Sequence, residues 1–297
     1  MVISMISDYN DKELIKRGYG KDLVPRLTGF NNEDAIRISE SICNALSKDC
    51  TTSDNKIAIF IGGIPGSGKT TAIRKIKQEW KDKNVICIIG LDNYRSLHPN
   101  YKDIQSAINK HWIDKEETSN ESKGNDFAYF TNTFAGTISD LVIENLTTKG
   151  YNVAIEWGMR NFLVPLKTME TIKSKGYKTI VKFIVVDKET SIDACKLRDD
   201  ILNKYDVILR RIPEYFHNEA LSTIPYSANQ IFYEGYLNKK IIDEFELVDR
   251  DDNILWDKNS DNDLIETYNY YLNNRLKSYI NDPSYGELSY KDETNKY

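Results

Sequence analysis

Cysteine and histidine are scarce in this chain, four and three among 297 residues. Cys43, Cys50, Cys87 and Cys195 form no C-x-x-C pair, which argues against a disulfide framework and fits reduced thiols in a cytoplasmic protein. His98 and His111 have no metal-ligand spacing and His217 stands alone, so a structural metal module is not expected. Long hydrophobic runs are missing as well. The longest, Ile57 to Ile61 with the glycines after it, is far too short to span a bilayer. The first residues carry acids by residue 13 and no extended apolar core, so neither a signal peptide nor a membrane anchor is expected. An excess of positive charge is also lacking: 45 Asp and Glu outnumber 40 Lys and Arg. A chain of net charge -5 lacks the long-range pull toward phosphate backbones, and nucleic acid is not an expected partner. Internal repeats and low-complexity tracts are absent. With 40% hydrophobic and 29% charged residues and a mean hydropathy of -0.54, the composition is globular rather than disordered.

Apolar spacing then sets the organisation. The first 31 residues are polar and punctuated by Gly18, Gly20, Pro25 and Gly29, which predicts a short irregular or partly helical lead-in. From Asn32, Ala35, Ile38, Ile42, Ala45 and Leu46 recur at helical spacing. Strands are predicted at Ile57–Ile61, Val85–Ile89, Val153–Ile155, Thr179–Val186 and Phe245–Val248. Between them lie helical patterns at Thr71–Trp80, at Asp126–Thr148 with Gly150 as its stop, after Pro165, and over Ile192–Arg211. Strands separated by helices predict an α/β fold with a mostly parallel five-stranded sheet flanked by helices, and a Tyr-rich amphipathic helix and polar tail follow from about Asp261.

The most specific motif is Gly63-Ile64-Pro65-Gly66-Ser67-Gly68-Lys69-Thr70, a match to G-x-x-x-x-G-K-[ST] between a buried strand and a helix. Glycines let successive N–H groups turn around a phosphate, and the following helix aims its positive end at the same anion. The pattern predicts a P-loop NTPase-type fold that binds ATP through Gly63 to Thr70 and the adjoining Thr71. Lys69 would reach the β- and γ-phosphates, and the Thr70 hydroxyl would ligate Mg²⁺.

A phosphate loop alone does not name a reaction. Asn203-Lys204-Tyr205-Asp206 matches a GTPase base motif as text, but it falls inside a helical run and no suitable D-x-x-G accompanies it. Asp92, just past the second strand, is expected to face the nucleotide at the carboxyl ends of the strands and to accept the proton of an attacking hydroxyl. A turn or helix cap is its alternative role.

Asp92 to Tyr101, D-x-[YF]-[RK]-x-x-H-P-x-[YF], and the Gly150 to Glu156 run resemble the corresponding segments of zeta toxins. The similarity covers about residues 32 to 257 and closes on Leu247-Val248-Asp249-Arg250 and Ile254-Leu255-Trp256. It implies a kinase domain over 32–258, behind the lead-in of 1–31 and ahead of a C-terminal helix and tail over 259–297. It also implies ATP-dependent phosphorylation of the 3′-hydroxyl of UDP-N-acetylglucosamine, a nucleotide-sugar, and restraint by a paired proteinaceous antitoxin. Carried over by position, Lys69, Asp92, Arg198 and Arg211 are catalytic, while Asp140, Glu156, Arg160 and Thr168 hold the substrate. The chain departs from the family at Trp157-Gly158-Met159, where zeta toxins have Gly-Thr-Gly, and at Asp140, where they have glutamate. Those departures leave open a different hydroxyl acceptor, such as an antibiotic, a nucleoside or a dinucleotide. A regulator that merely holds or hydrolyses ATP is the third reading. His98 is expected to be structural, opening the helix after the Asp92 loop.

Overall fold

The computed structural model describes residues 2–81, 84–88, 90–114, 120–204 and 214–274. The described residues fall into two compact units, and neither follows a single stretch of chain. One is built from Met1–Lys48 and Gly90–Leu146, the other from Asp49–Ile89, Thr147–Lys204 and the later residues.

The first unit is helical. Its elements are α1 (Val2–Lys16), α2 (Leu23–Thr28), α3 (Asn32–Ser47), a 3₁₀ segment at Leu91–Leu97, α5 (Tyr101–Asp114) and most of α6 (Asn120–Thr148). In α3 the Asn31 side chain caps by accepting a bond from the Glu33 N–H at 3.0 Å, with Glu33 and Asp34 complementing the helix dipole. Phe127, Phe130, Phe134, Ile138 and Val142 are buried at spacings of three and four on α6. Two of them join Leu14, Tyr19, Val24, Leu27, Ile104, Ile108 and Trp112 in one apolar cluster. Asp126 is buried at the edge of that cluster, and its charge is compensated. Tyr19 Oη donates to it at 2.7 Å, Trp112 Nε1 at 2.9 Å and Arg17 at 3.1 Å. The lead-in is therefore two folded helices, more ordered than its glycine-punctuated sequence suggests.

The second unit carries a six-stranded sheet in the order β2-β3-β1-β4-β5-β6. The strands are β1 (Ile57–Gly63), β2 (Ile86–Ile88), β3 (Val153–Glu156), β4 (Lys178–Ile184), β5 (Glu244–Val248) and β6 (Ile254–Asp257). The first five are parallel, as the sequence predicts, and β6 adds an antiparallel edge. That sixth strand corrects the expected count of five. It is four residues long and half exposed, so apolar alternation barely marks it, and a tight turn over Asp249–Asn253 brings it back onto β5. The helices are α4 (Lys69–Glu79), α7 (Leu163–Ser174), α8 (Lys188–Lys204), α9 (Glu214–Ile231), which runs into a π-helical segment at Phe232–Asn238, and α10 (Leu264–Asn273). Ile59, Ile61, Ile73, Ile76, Val85, Ala154, Ile180, Ile184 and Val248 form the core between sheet and helix.

Connections from β1 and from β4 leave in opposite directions across the sheet, so a switch point lies between these neighbours. In open parallel sheets ligands bind at the carboxyl ends of the strands at such a point. Here Gly62 and Gly63 pair with Phe183 and Ile184 at those ends. Among the described residues no helix is long and apolar enough to cross a membrane.

Candidate active site

The loop Gly63–Gly68 joins β1 to α4 at the switch point. Gly63, Gly66 and Gly68 adopt positive φ values of 144°, 70° and 97°. A Cβ on Gly63 would come within 2.6 Å of Ser67 Oγ and 2.7 Å of the Ile184 carbonyl, so no other residue fits there. Ile64 and Ser67 are buried, and Pro65, Gly66, Gly68, Lys69, Thr70 and Thr71 are half-buried. Gly68 is the N-cap of α4 and offers no side-chain acceptor to the first-turn N–H groups. The Lys69 ammonium lies across the loop, donating to the Gly63 carbonyl at 3.0 Å and the Ile64 carbonyl at 2.9 Å.

Glu156 ends β3 in register with Ile61 of β1. The Thr70 hydroxyl donates to its Oε2 at 2.9 Å, which brings a carboxylate to the side of the phosphate loop. Trp157 continues the pairing by donating its N–H to the Ile61 carbonyl at 3.0 Å, and its indole stacks on Phe60. Met159 is buried with φ 48° and its sulfur lies against Gly62. Trp157 and Met159 therefore pack on β1, while Gly158 is exposed with open space around its Cα.

The remaining candidates are more scattered. Arg160 is exposed and pairs with Glu219 at 3.1 Å. Thr168 Oγ1 bonds within α7 to the Val164 carbonyl at 3.3 Å, and Arg198 is half-buried on α8. Arg211 lies outside the described residues. In the helical unit, Asp140 is exposed on α6. Asp92 lies in the 3₁₀ segment with a half-exposed side chain, and the Arg95 Nε donates to its Oδ1 at 2.6 Å. Arg95 is only 2% exposed and is itself held by the Ala128 carbonyl at 3.1 Å and Thr131 Oγ1 at 3.0 Å. A fixed guanidinium thus restricts the rotamers of the Asp92 carboxylate. His98 is buried between Phe134 and Phe30, and its Nδ1 accepts the Asn100 N–H at 3.1 Å, the structural role expected of it. Burial pushes its pKa down to about 4, with a bond to the Thr28 backbone opposing.

Four further residues near the loop, none of them given a role by the sequence, are Ser191, Arg250, Asp187 and His217. Asp187, just past β4, caps α8 by accepting from the Thr190 N–H at 2.9 Å and Thr190 Oγ1 at 2.6 Å. That cap sets the next residue, Ser191, whose hydroxyl donates to the Pro65 carbonyl at 2.5 Å and lies 2.7 Å from His217 Nε2. Burial and the nearby Lys188 charge lower the His217 pKa. Arg250 donates to the Gly66 carbonyl at 2.6 Å and the Ser67 carbonyl at 3.3 Å. Arg250 was visible only as the last residue of a strand-ending Leu-Val-Asp-Arg run. Its bonds to the loop end on backbone carbonyls, which leave no trace in sequence.

A glycine loop between the central buried strand and an uncapped helix, at the switch point of a parallel sheet, has the geometry suited to an anion, and the fold is of the P-loop NTPase type. The model of one P-loop family, "Zeta toxin", matches residues 43–261, and the chain belongs to that family. Toxin PezT of Streptococcus pneumoniae serotype 4 is 33% identical over 147 residues, half of this chain and 51% of the relative. Toxin zeta of Streptococcus agalactiae is 24% identical over 210 residues, 70% of this chain and 67% of the relative. The chain thus spans about half the length of the first relative and two thirds of the second. Among solved structures, one from the PezAT chromosomal toxin-antitoxin system of Streptococcus pneumoniae superposes with a TM-score of 0.70 at 21% identity, over 91% of this chain and 99% of that one. That likeness is one of fold.

Proposed function

We propose that this chain is an ATP-dependent phosphotransferase of the zeta-toxin type, acting on a hydroxyl of a nucleotide-sugar, with the 3′-hydroxyl of UDP-N-acetylglucosamine as the first candidate. The observation that carries this reading is the Gly63–Thr70 loop with the Thr70 hydroxyl on the Glu156 carboxylate. Phosphoryl transfer needs positioning and charge neutralisation more than covalent chemistry. Backbone N–H groups of the loop and the α4 terminus bind the phosphates. Lys69 exchanges its two carbonyl partners for phosphate oxygens, and Arg198 and Arg211 supply further donors to the charge on the transferred group. Asp92, oriented by Arg95, takes the acceptor proton. Asp140, Glu156, Arg160 and Thr168 are assigned to the acceptor, with Glu156 shared between acceptor and loop.

Magnesium fits this donor set. Among the described residues no three His, Cys, Asp or Glu are grouped to cage a metal, so Thr70 and Glu156 would hold the ion with phosphate oxygens and water completing its shell. When bound, it would neutralise charge on the phosphates. A paired antitoxin is the proposed protein partner, supported by family membership.

One observation favours a second acceptor. Trp157 and Met159 pack against β1 just after Glu156, at positions where the resemblance to zeta toxins implies glycines. A kinase for another hydroxyl compound follows if those side chains exclude the sugar.

Asp92→Asn decides whether the chain transfers phosphate or only holds nucleotide. A general base contributes roughly 10²- to 10⁴-fold to rate and little to nucleotide affinity. The expected outcome is unchanged ATP binding by calorimetry and transfer reduced by at least about a hundredfold. Transfer at the wild-type rate would remove Asp92 from the mechanism.

A further inference from the structure

The phosphate loop is held from outside by two residues that lie far from it in sequence and belong to no phosphate-binding motif. Three successive carbonyls, of Pro65, Gly66 and Ser67, accept side-chain donors: Ser191 Oγ on the first, and the Arg250 guanidinium on the second and third. A trans peptide is planar, with its C=O and the next N–H pointing in opposite directions. Tying the carbonyls therefore turns the N–H groups of Gly66 and Gly68 toward the other side of the chain, where a phosphate cradle uses such groups, while the Ser67 N–H is engaged by the Ile64 carbonyl at 3.2 Å.

Both ties are anchored. Ser191 sits in the first turn of α8, fixed by the Asp187 cap and backed by His217. Arg250 sits in the β5–β6 turn. There the Asp249 carboxylate accepts the Asp251 N–H at 2.8 Å, the Asn253 N–H at 2.9 Å and Asn253 Nδ2 at 2.8 Å. Lys75 of α4 donates to the Arg250 carbonyl at 3.0 Å, and Lys182 of β4 grips Asp252 at 2.7 Å. Burial alone would lower the Lys182 pKa, but Asp252 and Glu246 raise it, so this lysine stays charged at neutral pH.

We infer that Ser191 and Arg250 are positioning residues of the phosphate site: they preset the loop's N–H groups by holding Pro65, Gly66 and Ser67 by their carbonyls. This rests on the nucleotide-binding part of the proposed function. Preorganised donors bind an anion without first losing loop entropy, so loosening the ties weakens phosphate binding while the nucleotide base is unaffected. A lysine at 250 keeps the charge but lacks the planar, preorganised fork of the guanidinium, so it holds the two carbonyls less well.

The test is calorimetry of the full chain with Mg·ATP and, separately, inorganic tripolyphosphate, on wild type, Arg250→Gln, Arg250→Lys and Ser191→Ala, with thermal melts alongside. Arg250→Gln and Ser191→Ala are each expected to weaken both probes roughly tenfold at a near wild-type melting temperature, a loss in line with one charge-assisted or short hydrogen bond. Arg250→Lys is expected to recover only part of the loss. Wild-type affinity in both variants overturns the inference and leaves the proposed function standing. A loss for ATP alone also overturns it, since it places Arg250 on the base. Failure of the wild-type chain to bind either probe sinks the nucleotide reading and this inference with it. If Arg250→Gln fails to fold, Ser191→Ala, a single lost hydroxyl, decides.

Discussion

At the residue scale, Lys69 separates binding chemistry from structure most cleanly. Its ammonium makes two bonds to loop carbonyls and stands half-buried at the start of α4. Hydrogen bonds of this kind contribute on the order of 1 kcal/mol each to stability, whereas neutralising phosphate charge in the transition state is worth far more. Lys69→Ala is accordingly expected to fold with a melting temperature close to wild type and to lose ATP turnover by at least about a hundredfold. A folded variant that turns over ATP normally would take Lys69 out of the site. Residue-level chemistry was readable where the motif and the backbone coincide: Gly63, Gly66 and Gly68 take the positive φ that only glycine tolerates well. Ser191 and Arg250 were not readable, because their partners are carbonyls more than 120 residues away in the chain.

At the scale of elements, the start of α5 is organised by a neutral histidine. His98 stays unprotonated down to about pH 4, against an ordinary value of 6.5. The sign follows directly: between those values the unfolded chain binds a proton that the folded chain refuses. The ring's contribution is therefore complete above about pH 6.5 and is lost as pH falls toward 4, amounting to about 3 kcal/mol at most. Urea unfolding of wild type and His98→Gln is expected to show the wild type losing its advantage over that window, and a constant difference between them would contradict the burial argument. The β1-loop-α4 element and the order of alternating strands and helices were legible because parallel buried strands read as apolar runs. Helix α1 and strand β6 were not. The first is held by Leu14 packing in the apolar cluster, and the second by a turn whose bonds run from the Asp249 side chain to backbone.

At the scale of the whole molecule, the chain belongs to the zeta-toxin family, and the proposed kinase chemistry leaves its acceptor open at Trp157 and Met159, where the resemblance breaks. Trp157 stacks on Phe60 and the Met159 sulfur lies against Gly62, so both side chains pack on the central strand. The most direct measurement is mass spectrometry of UDP-N-acetylglucosamine, incubated with Mg·ATP and the full chain beside other nucleotide-sugars, nucleosides and antibiotics. The account predicts that UDP-N-acetylglucosamine alone among the nucleotide-sugars gains one phosphoryl group, and that it does so with wild type and not with Asp92→Asn. An unchanged nucleotide-sugar, with ATP bound or with phosphate appearing on another acceptor, would contradict it.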